Sequence, residues 1–177
     1  MSQVVIETLF YITAGIALIG ALLTVTRYNA VHALLYLVIT MMAISLIFFL
    51  LGASFAAALQ IIVYAGAIMV LFVFVTMMLH QGEITIKQES MLFRPGRSIG
   101  VTFLSVILFA ETLYLLSPLA DATFTTTGAQ INHIGAKEIG LQLFGPYLIL
   151  VEVSALLLLT ALIGAFHLGR RHQEQSL

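Results

Sequence analysis

The chain of 177 residues is 61% hydrophobic and only 8% charged, whereas soluble domains are about 45–50% apolar and about 25% charged, so we interpret it as an integral membrane protein. Its net charge of −1 provides no basic surface for binding nucleic acid. Because the chain contains no cysteine, it has no disulfide framework, cysteine-ligated zinc, iron–sulfur cluster or cysteine nucleophile of its own.

Five apolar stretches are long enough to cross a bilayer, since ~30 Å of hydrocarbon requires about 20 helical residues. They cover residues 4–26, 31–51, 55–79, 98–118 and 143–167. No acidic or basic residue occurs between Arg27 and Glu83, an interval too long for one span, so we predict two spans joined by a tight turn at residues 52–54. The sequence thus predicts an all-α integral membrane protein whose residues 1–177 form a single membrane domain with five transmembrane helices.

Lysine and arginine indicate the orientation of these spans. A five-span arrangement puts six basic residues on one side and only Lys137 on the other; the six are Arg27, Lys87, Arg94, Arg97, Arg170 and Arg171. Because short cytoplasmic loops carry the excess of basic residues, we expect the N-terminus outside and the C-terminus in the cytoplasm. Arg27 follows the first span instead of preceding it, so we do not interpret that span as a signal peptide.

Two carboxylates interrupt the apolar spans and require an explanation, because an ionisable group in hydrocarbon costs on the order of 2.5–3.5 kcal/mol. Glu152 lies six residues after Pro146 and precedes a long apolar run. It is either a proton-relay carboxylate facing a hydrated interior or a protonated acid that hydrogen-bonds a neighbouring helix. For Glu111, in the fourth span, we favour a role in packing.

The third span contains the most unusual polar pattern. Gln60 and Tyr64 are four residues apart and therefore share one helix face, with Tyr64 near the middle of the bilayer. A buried tyrosine hydroxyl needs a partner in another helix or a water molecule. The small residues 56–58 and 65–67 permit close approach between helices. Spacing alone is also compatible with ordinary small-residue packing and one satisfied tyrosine.

No motif for bond chemistry is present. His32, His80 and His167 fall at the inner ends of the second, third and fifth spans without metal-ligand spacing, so we assign no metal. The sequence contains no glycine-rich nucleotide loop, Walker pattern or nucleophile elbow. If the chain belongs to an enzyme, it contributes membrane structure or charge movement, and we expect no catalytic residue in it.

Three stretches closely resemble one family: NAVHALLY at residues 29–36, LQIIVYAGAIMVLF at residues 59–72, and LFGPY at residues 143–147 followed by Val151 and Glu152. The family comprises the J subunit of bacterial NADH:quinone oxidoreductase, respiratory complex I, and mitochondrial NADH dehydrogenase subunit 6. The resemblance extends over essentially the whole chain in order. The long motif of the third span is highly specific to the family, and the other two motifs give additional support to the resemblance.

The resemblance implies a non-redox subunit of the bacterial inner membrane that helps couple quinone reduction to proton translocation. FMN, iron–sulfur clusters, NADH and quinone are then bound by other subunits of this electron transport chain complex. The implied partners are the small neighbouring membrane subunits, the quinone-site subunit, an antiporter-like subunit and the lipid bilayer.

The resemblance also implies a switchable π-bulge in the third helix, around Tyr64. A π-bulge inserts one extra residue into an α-helix, often at a functional site. Here the bulge region comprises Val63, Tyr64, Ala65, Gly66 and Ala67. The implied proton path or coupling residues are Gln60, Tyr64, Gly66 and Glu152. Some bacterial members have glutamate where this chain has Gln60, which cannot titrate but can orient water.

Two alternatives remain at the level of sequence. Related small subunits occur in multisubunit cation/proton antiporters and membrane-bound hydrogenases, which would change the partner complex and keep the fold. A purely structural assembly subunit is the third interpretation. It requires that Tyr64→Phe and Glu152→Gln leave proton pumping intact once the complex assembles normally.

Overall fold

All regular structure in the described part of the chain is helical. The computed structural model describes residues 2–27, 30–79, 95–117 and 134–170. Helix α1 is Ser2–Thr26 and α2 is Ala30–Leu50. Helix α3 consists of three consecutive segments, Ser54–Leu59, Gln60–Ile68 and Met69–Leu79. Helix α4 is Pro95–Leu115, α5 is Ala136–Leu143 and α6 is Leu148–Arg170.

Helix α3 changes its hydrogen-bonding pattern twice along its length. It begins as an α-helix at Ser54–Leu59, continues as a π-helix at Gln60–Ile68 and ends as an α-helix at Met69–Leu79. We use α3 for all three segments together. Most of this helix, Ser54–Met78, is one continuous apolar stretch long enough to cross a bilayer.

Within the described residues, four helices are long and apolar enough to span a membrane, as the first, second, third and fifth stretches predict. The first of these is Val4–Thr26, which coincides with the predicted residues 4–26. The predicted fourth span, residues 98–118, corresponds to the shorter apolar helix Ile99–Leu115, and residue 118 lies outside the described residues. The structure therefore supports an all-helical membrane protein, in which the fourth predicted stretch overlaps α4, Pro95–Leu115.

The fifth span begins five residues later than predicted, at Leu148 and not at residue 143. Residues 144–147 form a turn because Pro146 has no N–H to continue a helical ladder. The amide of Tyr147 instead donates to the Gln142 carbonyl at 3.1 Å, and that of Phe144 donates to Gly140 at 2.9 Å. This turn separates α5 from α6.

The turn between α2 and α3 confirms the predicted break after the second span. The amide of Ala53 donates to Phe48 O at 3.0 Å and that of Gly52 donates to Phe49 O at 3.0 Å, a pattern that ends many α-helices. Gly52 has φ of 85°, a conformation that residues with a Cβ rarely adopt. Glycine at this position lets the chain reverse within a few residues.

The chain divides into two compact units, Met1–His133 and Ile134–Leu177. In the first unit α1, α2 and α4 meet in an apolar core formed by Ile16, Ile39, Ala43, Leu104 and Leu108. Helix α1 comes close to α2 at Gly20, where an added Cβ would lie 2.5 Å from Thr40 Oγ1. In the second unit α5 contacts α6.

Three of the seven basic residues on which the predicted orientation rests lie outside the described part. Lys87, Arg94, Arg171 and His80 are outside the described residues, as are the connections at residues 80–94 and 118–133. The orientation of the chain therefore stays a prediction based on the distribution of basic residues.

Candidate functional site

The π-helical segment of α3 contains three of the four residues that the sequence singled out, Gln60, Tyr64 and Gly66. Where the segment ends, the amide of Met69 reaches the carbonyl of Tyr64, five residues earlier. A Cβ added to Gly66 would lie 3.2 Å from the carbonyl oxygen of Ile61, closer than ordinary van der Waals contact. Glycine at position 66 thus accommodates the wider turn, which a larger residue would crowd.

Gln60 points toward α2, and its side chain is only 9% exposed. Its Nε2 donates a hydrogen bond to the sulfur of Met41 at 3.3 Å. A thioether is a weak acceptor, so the amide is held loosely and keeps hydrogen-bonding capacity for other partners. The first residue of the π-helical segment is therefore buried against the neighbouring helix.

A second hydrogen bond attaches α3 to α2 one turn before the π-helical segment. The hydroxyl of Ser45, 3% exposed, donates to the backbone carbonyl of Ala57 at 2.8 Å. Ala57 is buried as well, and its small side chain allows this close approach. The beginning of α3 is thus fixed to α2 by a buried polar contact.

The side chain of Tyr64 has a different environment from that of Gln60, although the two residues lie on one helix. It is 51% exposed, and the neighbouring Val63 is also exposed. Ala65 and Gly66 are half-buried, whereas Ala67 is exposed. The structure therefore brings Gln60, Tyr64 and Gly66 together on α3, with Gln60 against α2 and Tyr64 on the side open to lipid or to another subunit.

Glu152, the fourth predicted residue, belongs to the second unit. It lies in the first turns of α6, and its side chain is exposed. Within its own unit α6 contacts α5, the helix that precedes the Gly145–Pro146 turn. An exposed carboxyl in an apolar helix is available to a group outside this unit, as both interpretations of Glu152 require.

The structure also shows a buried polar pair that sequence reasoning did not find. Glu111 on α4 is 6% exposed, and Thr13 on α1 is fully buried. Thr13 Oγ1 lies 3.0 Å from Glu111 Oε2. The sequence indicated that Glu111 needed a partner, but Thr13 is 98 residues away and nothing in the pattern distinguishes it from the other threonines of α1.

A further buried polar group lies on α2. Tyr36 is fully buried, and its ring lies 5.5 Å from the guanidinium of Arg27. Its hydroxyl is against Gly100, where an added Cβ would clash with it. His32, one turn earlier on α2, is also buried. Both belong to the NAVHALLY stretch, which the sequence associated with the family and not with a specific contact.

Comparison with known proteins identifies the family. The family model for NADH-ubiquinone/plastoquinone oxidoreductase chain 6 matches residues 20–168, most of the chain. The chain belongs to this family. The matched region contains the π-helical segment of α3, the Gly145–Pro146 turn and Glu152.

The chain is also similar to bacterial relatives over most of its own length and of theirs. The chain is 49% identical to NADH-quinone oxidoreductase subunit J of Pseudomonas aeruginosa over 171 residues, which covers 96% of this chain and 99% of the relative. It is 48% identical to subunit J of Escherichia coli K12, covering 94% of this chain and 88% of the relative. Subunit J of Buchnera aphidicola from Schizaphis graminum is also 48% identical, which covers 93% of this chain and 98% of the relative.

Proposed function

We propose that the chain is the non-redox membrane subunit of a bacterial, proton-translocating NADH:quinone oxidoreductase and helps couple quinone reduction to proton pumping. Family membership over most of the chain is the observation that carries this proposal. NADH, FMN, iron–sulfur clusters and quinone are bound by other subunits. The chain lies in the inner membrane with its N-terminus outside, in agreement with the six basic residues on one side of five spans.

The proposed coupling element is α3, which switches between π-helical and regular α-helical hydrogen bonding. When the bulge relaxes to α-helical hydrogen bonding, its extra residue becomes part of the regular helix. The part of α3 that follows then rotates by about 100°, the angle between successive residues of an α-helix. The segment Met69–Leu79 is the part that turns. The Ser45–Ala57 hydrogen bond supports this assignment, because it holds the preceding segment against α2 while the rest rotates.

Gln60 and Tyr64 orient water in this mechanism, and the amide of Gln60 has no titratable group. The weak contact of the Gln60 amide with the Met41 sulfur leaves it free to exchange this partner for water. The half-exposed Tyr64 sits at the side where a neighbouring antiporter-like, small or quinone-site subunit would approach. Rotation of α3 at Gly66 would change whether Gln60 or Tyr64 faces the neighbouring subunit. It would thereby open or close the hydrated path.

Glu152 is proposed to contact a neighbouring subunit through a hydrogen bond of its carboxyl group. We expect Glu152→Ala to reduce proton pumping more than Glu152→Gln, because the glutamine amide keeps a donor of nearly the same shape. The measurement is the rate of proton uptake into inverted membrane vesicles, normalised to the amount of assembled complex. Equal and severe loss with both variants would contradict this role and favour a titrating relay.

Membership in the complex is tested by native electrophoresis of the tagged full-length chain in mild detergent, with in-gel NADH oxidation and mass spectrometry. We expect the tag to migrate with a large NADH-oxidising assembly that contains the quinone-site and antiporter-like subunits. A band that contains only antiporter or hydrogenase subunits would overturn the proposal and leave the helical fold unaffected.

A further inference from the structure

The buried pair of Glu111 and Thr13 lies in the interior of the first unit, away from α3. Thr13 is on α1 and Glu111 is on α4. Their burial arises from this chain alone, so neighbouring subunits can only bury them further. Ile16 and Leu108, each one turn from a member of the pair, belong to the apolar core. The carboxyl therefore sits at the edge of the apolar core.

The hydroxyl of Thr13 lies within hydrogen-bonding distance of two oxygens, one on α1 and one on Glu111. A threonine hydroxyl has one proton and can donate one strong hydrogen bond. Thr13 Oγ1 lies 2.8 Å from the carbonyl oxygen of Leu9, a backbone group that can only accept, and 3.0 Å from Glu111 Oε2. Either the hydroxyl donates to Glu111 Oε2, or it donates to Leu9 and the proton of the second contact comes from Glu111.

We infer that Glu111 is a proton-binding site, a neutral carboxylic acid whose Oε2–H donates to Thr13 Oγ1, which in turn donates to the Leu9 carbonyl. This chain of two hydrogen bonds in one direction satisfies all three oxygens, and each bond polarises the next. The hydrogen bond from Glu111 to Thr13 connects α4 to α1 without leaving a charge in the interior. The site is separate from the π-helical segment and independent of the proposed coupling role of α3.

The surroundings of the carboxyl support the neutral form. No lysine, arginine or histidine in the described ranges lies within ion-pair distance of Glu111, and Thr13 is the only side chain of those ranges hydrogen-bonded to it. The second oxygen, Oε1, is buried without a hydrogen-bond partner. As the carbonyl oxygen of a neutral acid it carries no net charge, whereas on a carboxylate an unpaired oxygen would leave a buried charge uncompensated.

The inference is tested by infrared spectroscopy of the purified, intact complex. We expect Glu111→Gln to remove one carbonyl stretching band of a protonated carboxyl from the wild-type spectrum. Glu7→Gln, on the exposed side of α1, is the matched control and should leave the band that Glu111→Gln removes unchanged. Loss of carboxylate bands in the Glu111→Gln complex, with the protonated-carboxyl region unchanged, would overturn the inference.

Thr13→Val supplies a second measurement that does not depend on assembly of the Glu111 variant. Valine has nearly the shape of threonine but cannot accept the proton of the acid. We expect the Glu111 carbonyl band to shift to higher frequency, because a weaker hydrogen bond at the O–H strengthens the C=O bond. An unshifted band in the assembled Thr13→Val complex would contradict a hydrogen bond between Glu111 and Thr13 and overturn the inference.

Discussion

Replacing Gly66 with valine is expected to lower NADH:quinone turnover about tenfold while the subunit stays in the complex, which corresponds to ~1.4 kcal/mol. The π-helical segment puts the position of a Cβ at residue 66 only 3.2 Å from Ile61 O. Valine adds two γ-carbons and is stiff at χ1, so it disfavours the π-helical form and restricts α3 to one state. The measurement is quinone reductase activity and proton pumping of assembled complex.

Gly15→Val is the matched control for this prediction. Gly15 also lies within an apolar helix, but a Cβ added there meets no atom within 4 Å. The two variants introduce the same side chain into a helix, and only one of them crowds a π-helical turn. Wild-type turnover and pumping in the assembled Gly66→Val complex would contradict a switching α3.

Replacing Gly145 with alanine is expected to destabilise the turn between α5 and α6 by about 1–3 kcal/mol, the usual cost of an added group that clashes with atoms unable to move aside. An added Cβ would lie 2.6 Å from the backbone oxygen of Leu141, and neither group is the end of a flexible side chain. We expect less subunit in the assembled complex, as measured by native electrophoresis, and dissociation at a lower temperature.

Gly140→Ala provides the control in the same unit. Gly140 lies inside α5, and a Cβ there meets nothing within 4 Å. Alanine is the better helix former by about 1 kcal/mol, so this variant should be neutral or slightly stabilising. A Gly145→Ala complex as stable as the Gly140→Ala complex would contradict the tight turn at residue 145.

The amino-acid sequence predicted the helical membrane fold because hydrophobic length is a local property. A run of apolar residues must form a helix in a bilayer, whatever its neighbours are, since its backbone polar groups have no other partners. The break at residues 52–54 was predictable for a similar reason, because Gly52 lies between two spans without any charge. The late start of α6 was not predicted, although Pro146 was visible, because apolar length alone does not locate a helix end.

Family motifs extended this local information to the candidate site. The LQIIVYAGAIMVLF stretch pointed to Gln60, Tyr64 and Gly66, and the π-helical segment spans all three. The sequence did not indicate that Gln60 and Tyr64 have different surroundings. Only packing against α2 makes Gln60 a buried residue and leaves Tyr64 half exposed.

Contacts between distant residues were decided by the tertiary structure alone. The sequence by itself determined that Glu111 is a costly group in an apolar helix, but its partner Thr13 is brought to 3.0 Å only where α1 packs on α4. The same holds for Ser45, which is unremarkable in α2 until its hydroxyl meets the Ala57 carbonyl. Hydrophobic length specifies each helix separately, whereas the polar contacts between helices depend on rotations and depths that arise only when the helices pack.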